Sequence, residues 1–302
     1  MKITYLKHVN IDKIKWDHCI ENAHNSLIYA HSSFLDIMSK NWDALVMDEY
    51  EAVMPLTWNK KFGISYLRQP VFTQQLGIFG NISFDKNITT SFINKALEIF
   101  PFVEINLNYA NEFSTKKCNL ILHLDHPFEE IEKAFRKDFV NKIQKLSLIY
   151  QSSDDVQKAI QIFRENYKNK INISSKSYQQ WFLACNKLKM AGQLFIRKVN
   201  SLDGELLSTA LFLKDKKRIY YVMSCTLRSG RKQYSNYFLL YHAIKEFSGQ
   251  NLIFDFEGSE IPSIKSFFLK FGATDQPYSF VKINNLAPWI RRLKNWKDFL
   301  KK

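Results

Sequence analysis

Along this 302-residue chain the apolar residues switch between a helical period of three to four and a strand period of two, in blocks separated by polar turns. The first block, 16–29, carries helical spacing. Strands are predicted over 43–47 and 50–58, folded onto each other across Asp48-Glu49 as a hairpin. A further strand at 64–69 runs into the polar loop Thr73-Gln74-Gln75-Leu76-Gly77, then a helix over 89–100 and a strand over 103–107. Another strand, 119–124, ends at His126-Pro127. From 128 to 146 the spacing is helical and basic, with Arg136, Lys137, Lys142 and Lys145 among apolar residues, and this segment is expected to bridge two halves. Helices follow over 154–168 and 177–189. Strands at 194–199, 206–213 and 218–224 lead to a loop, a helix at 236–247, a strand at 252–256, a helix at 262–270 and a last strand near 280–283.

Set side by side, the halves repeat one order: hairpin strands, a further strand, polar loop, helix, strand. The loop at 71–80 occupies the place of the loop at 226–235. This predicts an α/β protein with mixed sheets in two tandem domains, 1–127 and 151–302, joined by a basic helix over 128–150. In open α/β sheets a ligand gathers at the carboxyl ends of strands and the starts of helices, where unpaired N–H groups collect. The site is therefore expected near 226–236 and 255–260.

Composition narrows the class. An apolar fraction of 46%, with 7 prolines and 9 glycines, belongs to a folded chain. Forty-three Lys and Arg against twenty-nine Asp and Glu give a net charge of +14, which attracts polyanions such as phosphorylated cofactors or RNA, although solubility alone also accounts for it. The charge concentrates at 214–218, 228–232 and 291–302. Cys19, Cys118, Cys185 and Cys225 lack metal-site spacing and read as buried thiols of a reducing compartment. His18, His24 and His31 form no zinc pattern, so no metal is expected. No apolar run reaches the roughly 18 residues of a membrane span, and no leader is legible, so a cytoplasmic protein is expected. Nucleophile-elbow, Walker and dinucleotide fingerprints are missing from the sequence.

Several residues carry candidate chemistry. Asp255 and Glu257 alternate on a strand and are expected on one face, where either could take a proton from an attacking amine; capping the next helix is the structural alternative. Arg228, Arg231 and Lys232, around Gly230 and before a helix start, form a candidate phosphate cradle, or else a solvated loop. Tyr221 could donate a proton to a leaving group, or pack in the core like its neighbour Tyr220. Lys142 could reach phosphate from the basic helix. In the first half, Arg68, Gln74 and Gln75 are candidates for holding a substrate amide or sugar.

Between Ser235 and Gly272 the chain reads Asn236, then Leu239-Leu240, a helix, Phe254-Asp255-Phe256-Glu257-Gly258, a second helix and Phe271-Gly272. This resembles the GCN5-related N-acetyltransferase (GNAT) fold and, more closely, its tandem-domain FemAB-like branch. The basic stretch from Phe135 to Ile143 is similar to the helix before the second domain of that branch. The resemblance implies two tandem GNAT-like domains, each a mixed, mainly antiparallel twisted sheet flanked by helices. It also implies an acyltransferase or aminoacyltransferase in which an amine attacks an activated acyl group directly. The donor would be acyl-CoA or aminoacyl-tRNA, with Asn236 joining the cradle. The acceptor would be a small-molecule or cell-wall-precursor amine, with tRNA among the partners. Two departures stand out. The loop Arg228-Ser229-Gly230-Arg231-Lys232-Gln233-Tyr234 has one glycine where CoA-binding members have a glycine-rich wrap, and Phe268 stands where the branch usually has lysine, leaving Lys265 or Lys270 for that charge. The rival expectation is a binding module that kept the fold, lost the chemistry and holds RNA or another polyanion on its basic surface.

Overall fold

A computed structural model describes residues 1–109, 114–258 and 260–288. The first half runs β1 (Ile3–Leu6), α1 (Lys13–Asn22), α2 (Ser32–Met38), β2 (Trp42–Met47), β3 (Ala52–Lys61), β4 (Ile64–Arg68), β5 (Phe79–Gly80), α3 (Lys86–Ile99), β6 (Phe102–Leu107) and β7 (Thr115–Lys117). It continues through β8 (Leu120–His123), α4 (Phe128–Glu132), α5 (Lys137–Ile143), β9 (Ile149–Ser153), α6 (Val156–Tyr167) and α7 (Ser175–Met190). The last third runs β10 (Leu194–Asn200), β11 (Leu206–Lys214), β12 (Arg218–Thr226), α8 (Arg228–Lys232), α9 (Ser235–Phe247), β13 (Ile253–Asp255), α10 (Pro262–Leu269), β14 (Thr274–Asp275) and β15 (Tyr278–Asn284).

These elements form two compact units, Met1–Lys117 with the stretch from Tyr278 onward, and Cys118–Pro277. The first unit's sheet has the order β1-β2-β3-β4-β6-β15-β7, with β5 beside β3; the second has β9-β10-β11-β12-β13-β8-β14. The two orders match strand for strand. In each, one pair of the named strands is parallel, β4 with β6 and β12 with β13, and the other pairs of named strands among the described residues are antiparallel. The repeat expected from the element order is thus present as topology.

The boundaries differ from those expected at 127 and 150. β8 belongs to the second sheet and β15 to the first, so each sheet takes its sixth strand from the opposite half of the chain. Nor is the segment 128–150 one bridging helix. It breaks into α4 and α5 and ends in β9, the edge strand of the second sheet. Phe128, Ile131, Phe135, Phe139 and Ile143 from this segment are all buried in the second unit's core with Leu239, Leu240, Phe254, Phe256 and Phe271. Full burial of such side chains is worth about 1.5–3 kcal/mol each, which outweighs the continuity of one helix.

The first unit's core is built by Leu45, Met54, Leu56, Phe92, Phe100, Val103, Ile105 and Leu107. Its entry helix α1 begins where Asp12 accepts from the Ile14 and Lys15 N–H groups. Elements that sequence periodicity did not show, β1, α2, β7, β9 and β14, are short, seven residues or fewer. Periods need longer windows than that.

Candidate functional site

In the second unit β12 pairs with β13 only through Arg218↔Ile253, Ile219↔Phe254 and Tyr220↔Asp255. β13 then stops, while β12 continues to Thr226 along β11. The sheet splays open from residue 221 onward. The Leu227 N–H donates to Leu207 O at 2.9 Å, so ladder alternation turns the peptide groups of Ser224 and Thr226 to the open edge. Arg231 Nε donates to Thr226 O there, at 3.1 Å. A register shift between Leu211 and Phe212 leaves Val222 as the extra residue of a β-bulge, a device that bends a strand and re-aims its edge.

The strand end is fixed by a buried ion pair. Arg218 Nη1 donates to Asp255 Oδ2 at 2.8 Å, Asn119 Nδ2 donates to the same oxygen at 3.2 Å, and the Glu257 N–H donates to Oδ1 at 2.9 Å. Complete burial raises the Asp255 carboxyl above its ordinary value, while Arg218 and the two N–H donors pull it back. Asp255 is therefore committed to holding β13. Its bond to the Glu257 N–H turns the chain, and Glu257 adopts φ +59°, in the left-handed region. The expected alternation of Asp255 and Glu257 on one strand face does not occur, because the strand ends at Asp255 and only Glu257 lies beyond it. Gly258, at φ +58°, must be glycine: a Cβ there would lie 2.2 Å from Cys118 O.

At the other side of the opening stands the start of α9. Tyr234 precedes it at φ +55°, in the left-handed region, and the N–H groups of Ser235 and Asn236 have no acceptor among the described residues. Two amino groups flank this turn. Lys142 Nζ, from α5, lies 3.3 Å from the centroid of the Tyr234 ring, and Lys270 Nζ donates to Tyr237 Oη at 3.3 Å. Hydrogen bonding and charge from Lys142 hold the Tyr234 hydroxyl below its ordinary value. The stretch Arg228–Lys232, expected as loop, is the short helix α8, with Arg228, Arg231 and Lys232 exposed. Gly230 faces inward: a Cβ would sit 2.1 Å from Leu207 O and 2.5 Å from Ser235 Oγ. It allows α8 to lie against β11 and offers no open backbone wrap of its own.

Tyr221 is buried, its hydroxyl donating to Asn236 Oδ1 at 3.0 Å, and burial pushes its pKa up. Phe268 packs edge-on to Tyr221 at 6.1 Å between centroids and lies in the core. The structure thus brings together Tyr221, Asn236, Lys142 and, beyond the sequence reading, Tyr234, with Lys270 as the lysine at this end of α9. Tyr234 could have been found from its place just before the helix start.

The corresponding opening of the first unit is filled. β4 and β6 pair through Leu67↔Val103 and Arg68↔Glu104, and beyond them Leu76 bridges Leu107 on the edge of β6. The Leu76 N–H donates to Asn106 O at 3.0 Å, Asn108 N–H to Leu76 O at 2.6 Å, and Asn106 Nδ2 to Gln74 O at 2.7 Å. Gln75 is buried and its Nε2 donates to Gln74 Oε1. Arg68 is exposed at the end of β4. Gln74 and Gln75 therefore sit in a strand-like plug, where the sequence suggested an open substrate loop.

Among the described residues no helix is long and apolar enough to cross a membrane, and no group of three or more His, Cys, Asp or Glu stands close enough to hold a metal ion. Cys19 and Cys225 are buried and pushed up to about 11 by burial.

No family model matches the sequence, and no curated protein matches it either. Solved structures do. The chain is similar to FemX over 94% of its own length and 98% of that chain, with a TM-score of 0.65 at 12% identity. It is similar to a C-terminal domain assigned to a lysylphosphatidylglycerol synthetase from Agrobacterium fabrum, at TM-score 0.54 and 9% identity over 95% and 96% of the two chains. A tandem GNAT protein from the clavulanic acid biosynthesis pathway, solved without acetyl-CoA, matches at TM-score 0.50 and 9% identity over 93% and 98%. The fold is that of the tandem GNAT-like acyltransferases. Among structures of this fold, the FemAB-like likeness extends to FemX over nearly the whole of both chains.

Proposed function

We propose that this protein is an acyltransferase or aminoacyltransferase whose reaction takes place in the second unit, at the open edge of β12. The observation that carries the reading is the contrast between the two units: six residues of β12 run on with no partner strand on one edge among the described residues, beside a cation-flanked helix start, whereas in the first unit Leu76 bridges the equivalent edge. The donor's phosphates would lie against the Ser235 and Asn236 N–H groups, with Lys142 and Lys270 alongside and Arg228, Arg231 and Lys232 drawing the polyanion in. The acyl carbonyl would accept from the β12 edge, where N–H groups stabilise the tetrahedral oxyanion. Glu257 would take the ammonium proton as the amine nitrogen bonds to the acyl carbon and the thioester or ester bond breaks. Tyr221 stays protonated and orients Asn236. Asp255 keeps Glu257 in place and is not the base.

Acyl-CoA and aminoacyl-tRNA remain the two donor classes, and a small-molecule or cell-wall-precursor amine the acceptor class. The test is a transfer assay with labelled acetyl-CoA and with aminoacyl-tRNA, coupled to a thermal-shift titration of each donor. One donor should raise the melting temperature, E257Q should lower kcat with little change in KM, and K142A with K270A should raise the donor KM. Sequence-independent RNA binding with a steep salt dependence and no transfer from either donor would overturn the enzyme reading in favour of a polyanion-binding module.

A further inference from the structure

The first unit contains a second candidate site. His8, Asp36, Ser39, Lys40, Asn41, Trp42, Asp43 and Trp58 line a cavity of about 160 Å³. Its two carboxylates differ in how their charge is met. Asp36 is neutralised: Lys13 Nζ lies 2.7 Å from Oδ2, and His8 Nε2 and Trp42 Nε1 reach Oδ1 at 2.9 and 3.0 Å. Asp43 is only 6% exposed and has no cationic partner among the described residues. Tyr5 Oη and Trp58 Nε1 both donate to its Oδ2, at 2.7 and 2.8 Å, and the His8 N–H donates to Oδ1 at 2.8 Å. All three donors are neutral, and Oδ1 keeps a free lone pair. A carboxylate this deeply buried ordinarily carries a countercharge.

We propose that this cavity binds a primary alkylammonium group. The free Oδ1 lone pair of Asp43 accepts one ammonium N–H, with Trp42 and Trp58 in the cavity wall. The preference is for a primary amine because an N–H donor is needed at Oδ1, which a quaternary ammonium lacks. A cavity of about 160 Å³ has room for a short alkyl chain bearing the ammonium. Lys40, also in the wall and without an ion pair among the described residues, is the built-in competitor. The site stands or fails independently of the reaction proposed for the second unit.

The probe is n-butylammonium chloride, titrated into the full-length protein with ¹⁵N-labelled tryptophan, with n-butanol and sodium chloride as controls. The Trp42 and Trp58 indole N–H resonances, assigned with W42F and W58F, should shift saturably with a Kd on the order of 1 mM, and neither control should reproduce the shift. D43N should weaken binding by about tenfold or more, and K40A should tighten it. Because Asp43 also organises three donors, D43N could unfold this corner; the wild-type comparison of butylammonium with butanol then decides alone. An equal shift with butanol, no saturation, or weaker binding in K40A would overturn the assignment.

Discussion

Replacing Asp255 by leucine should be among the most damaging single changes in the second unit. Asp255 is 1% exposed, and the Arg218 side chain that meets it at 2.8 Å is 11% exposed. At that distance the two charges attract by about 6 kcal/mol at an effective dielectric of about 20, a gain largely spent on taking both out of water. The pair is therefore worth little against a hydrophobic replacement of both, but breaking it leaves one buried charge unmet. D255L should cost about 3–5 kcal/mol, R218M a similar amount, and the double variant R218M/D255L much less than the sum of the two. Urea unfolding of the four proteins, followed by far-UV circular dichroism, gives the cycle, with Cm read at constant m. In the proposed enzyme, D255N should in addition lower kcat by releasing Glu257 from its left-handed turn. Costs below about 1 kcal/mol for D255L, or strict additivity in the cycle, would refute the view that this pair clamps the strand end.

G230A places a methyl group 2.1 Å from Leu207 O, so α8 must lift from β11; a loss of about 1–3 kcal/mol and weaker donor binding are expected, read by thermal unfolding and a donor titration. Glu246 is bonded by Arg197 Nε at 2.8 Å and by Tyr150 Oη at 2.6 Å, and although burial alone would raise its carboxyl, these partners hold it below its ordinary value. The unfolded chain then takes up the proton first, so stability is full above the ordinary glutamate range and falls with pH below about 4.5; E246Q should flatten that part of the pH–stability curve measured by urea titration. Burial lowers His242, with Lys245 adding to the effect, so the unfolded state is again the stronger proton binder, and H242F should remove a loss of stability that sets in as pH falls through about 6.5.

The helices and strands with long apolar periods were legible in the chain, and so was their order. α9, expected over 236–247, forms over Ser235–Phe247, and the hairpin strands, the meander β10 to β12 and the β13 strand all lie where their alternation put them. That order is enough to define the GNAT-like class, because hydrophobic period and turn chemistry are local properties of neighbouring residues. The stretch proposed as the site was also marked in the sequence, by a positive run before a helix and a carboxylate at a strand end.

What each residue does there came from contacts between segments far apart in sequence. Asp255 and Glu257 look equivalent as letters, yet Arg218 and Asn119, 37 and 136 positions away, bury one and leave the other at the strand end. Lys142 and Lys270 flank the same turn from two helical segments, 128 positions apart by their numbers. Only the fold could show that the first unit's loop pairs with β6 and closes its gap, or that β8 and β15 cross to the opposite sheets. Strand partners and buried charge pairs are chosen by long-range hydrogen bonding and desolvation, which no local pattern of hydrophobic and polar residues encodes.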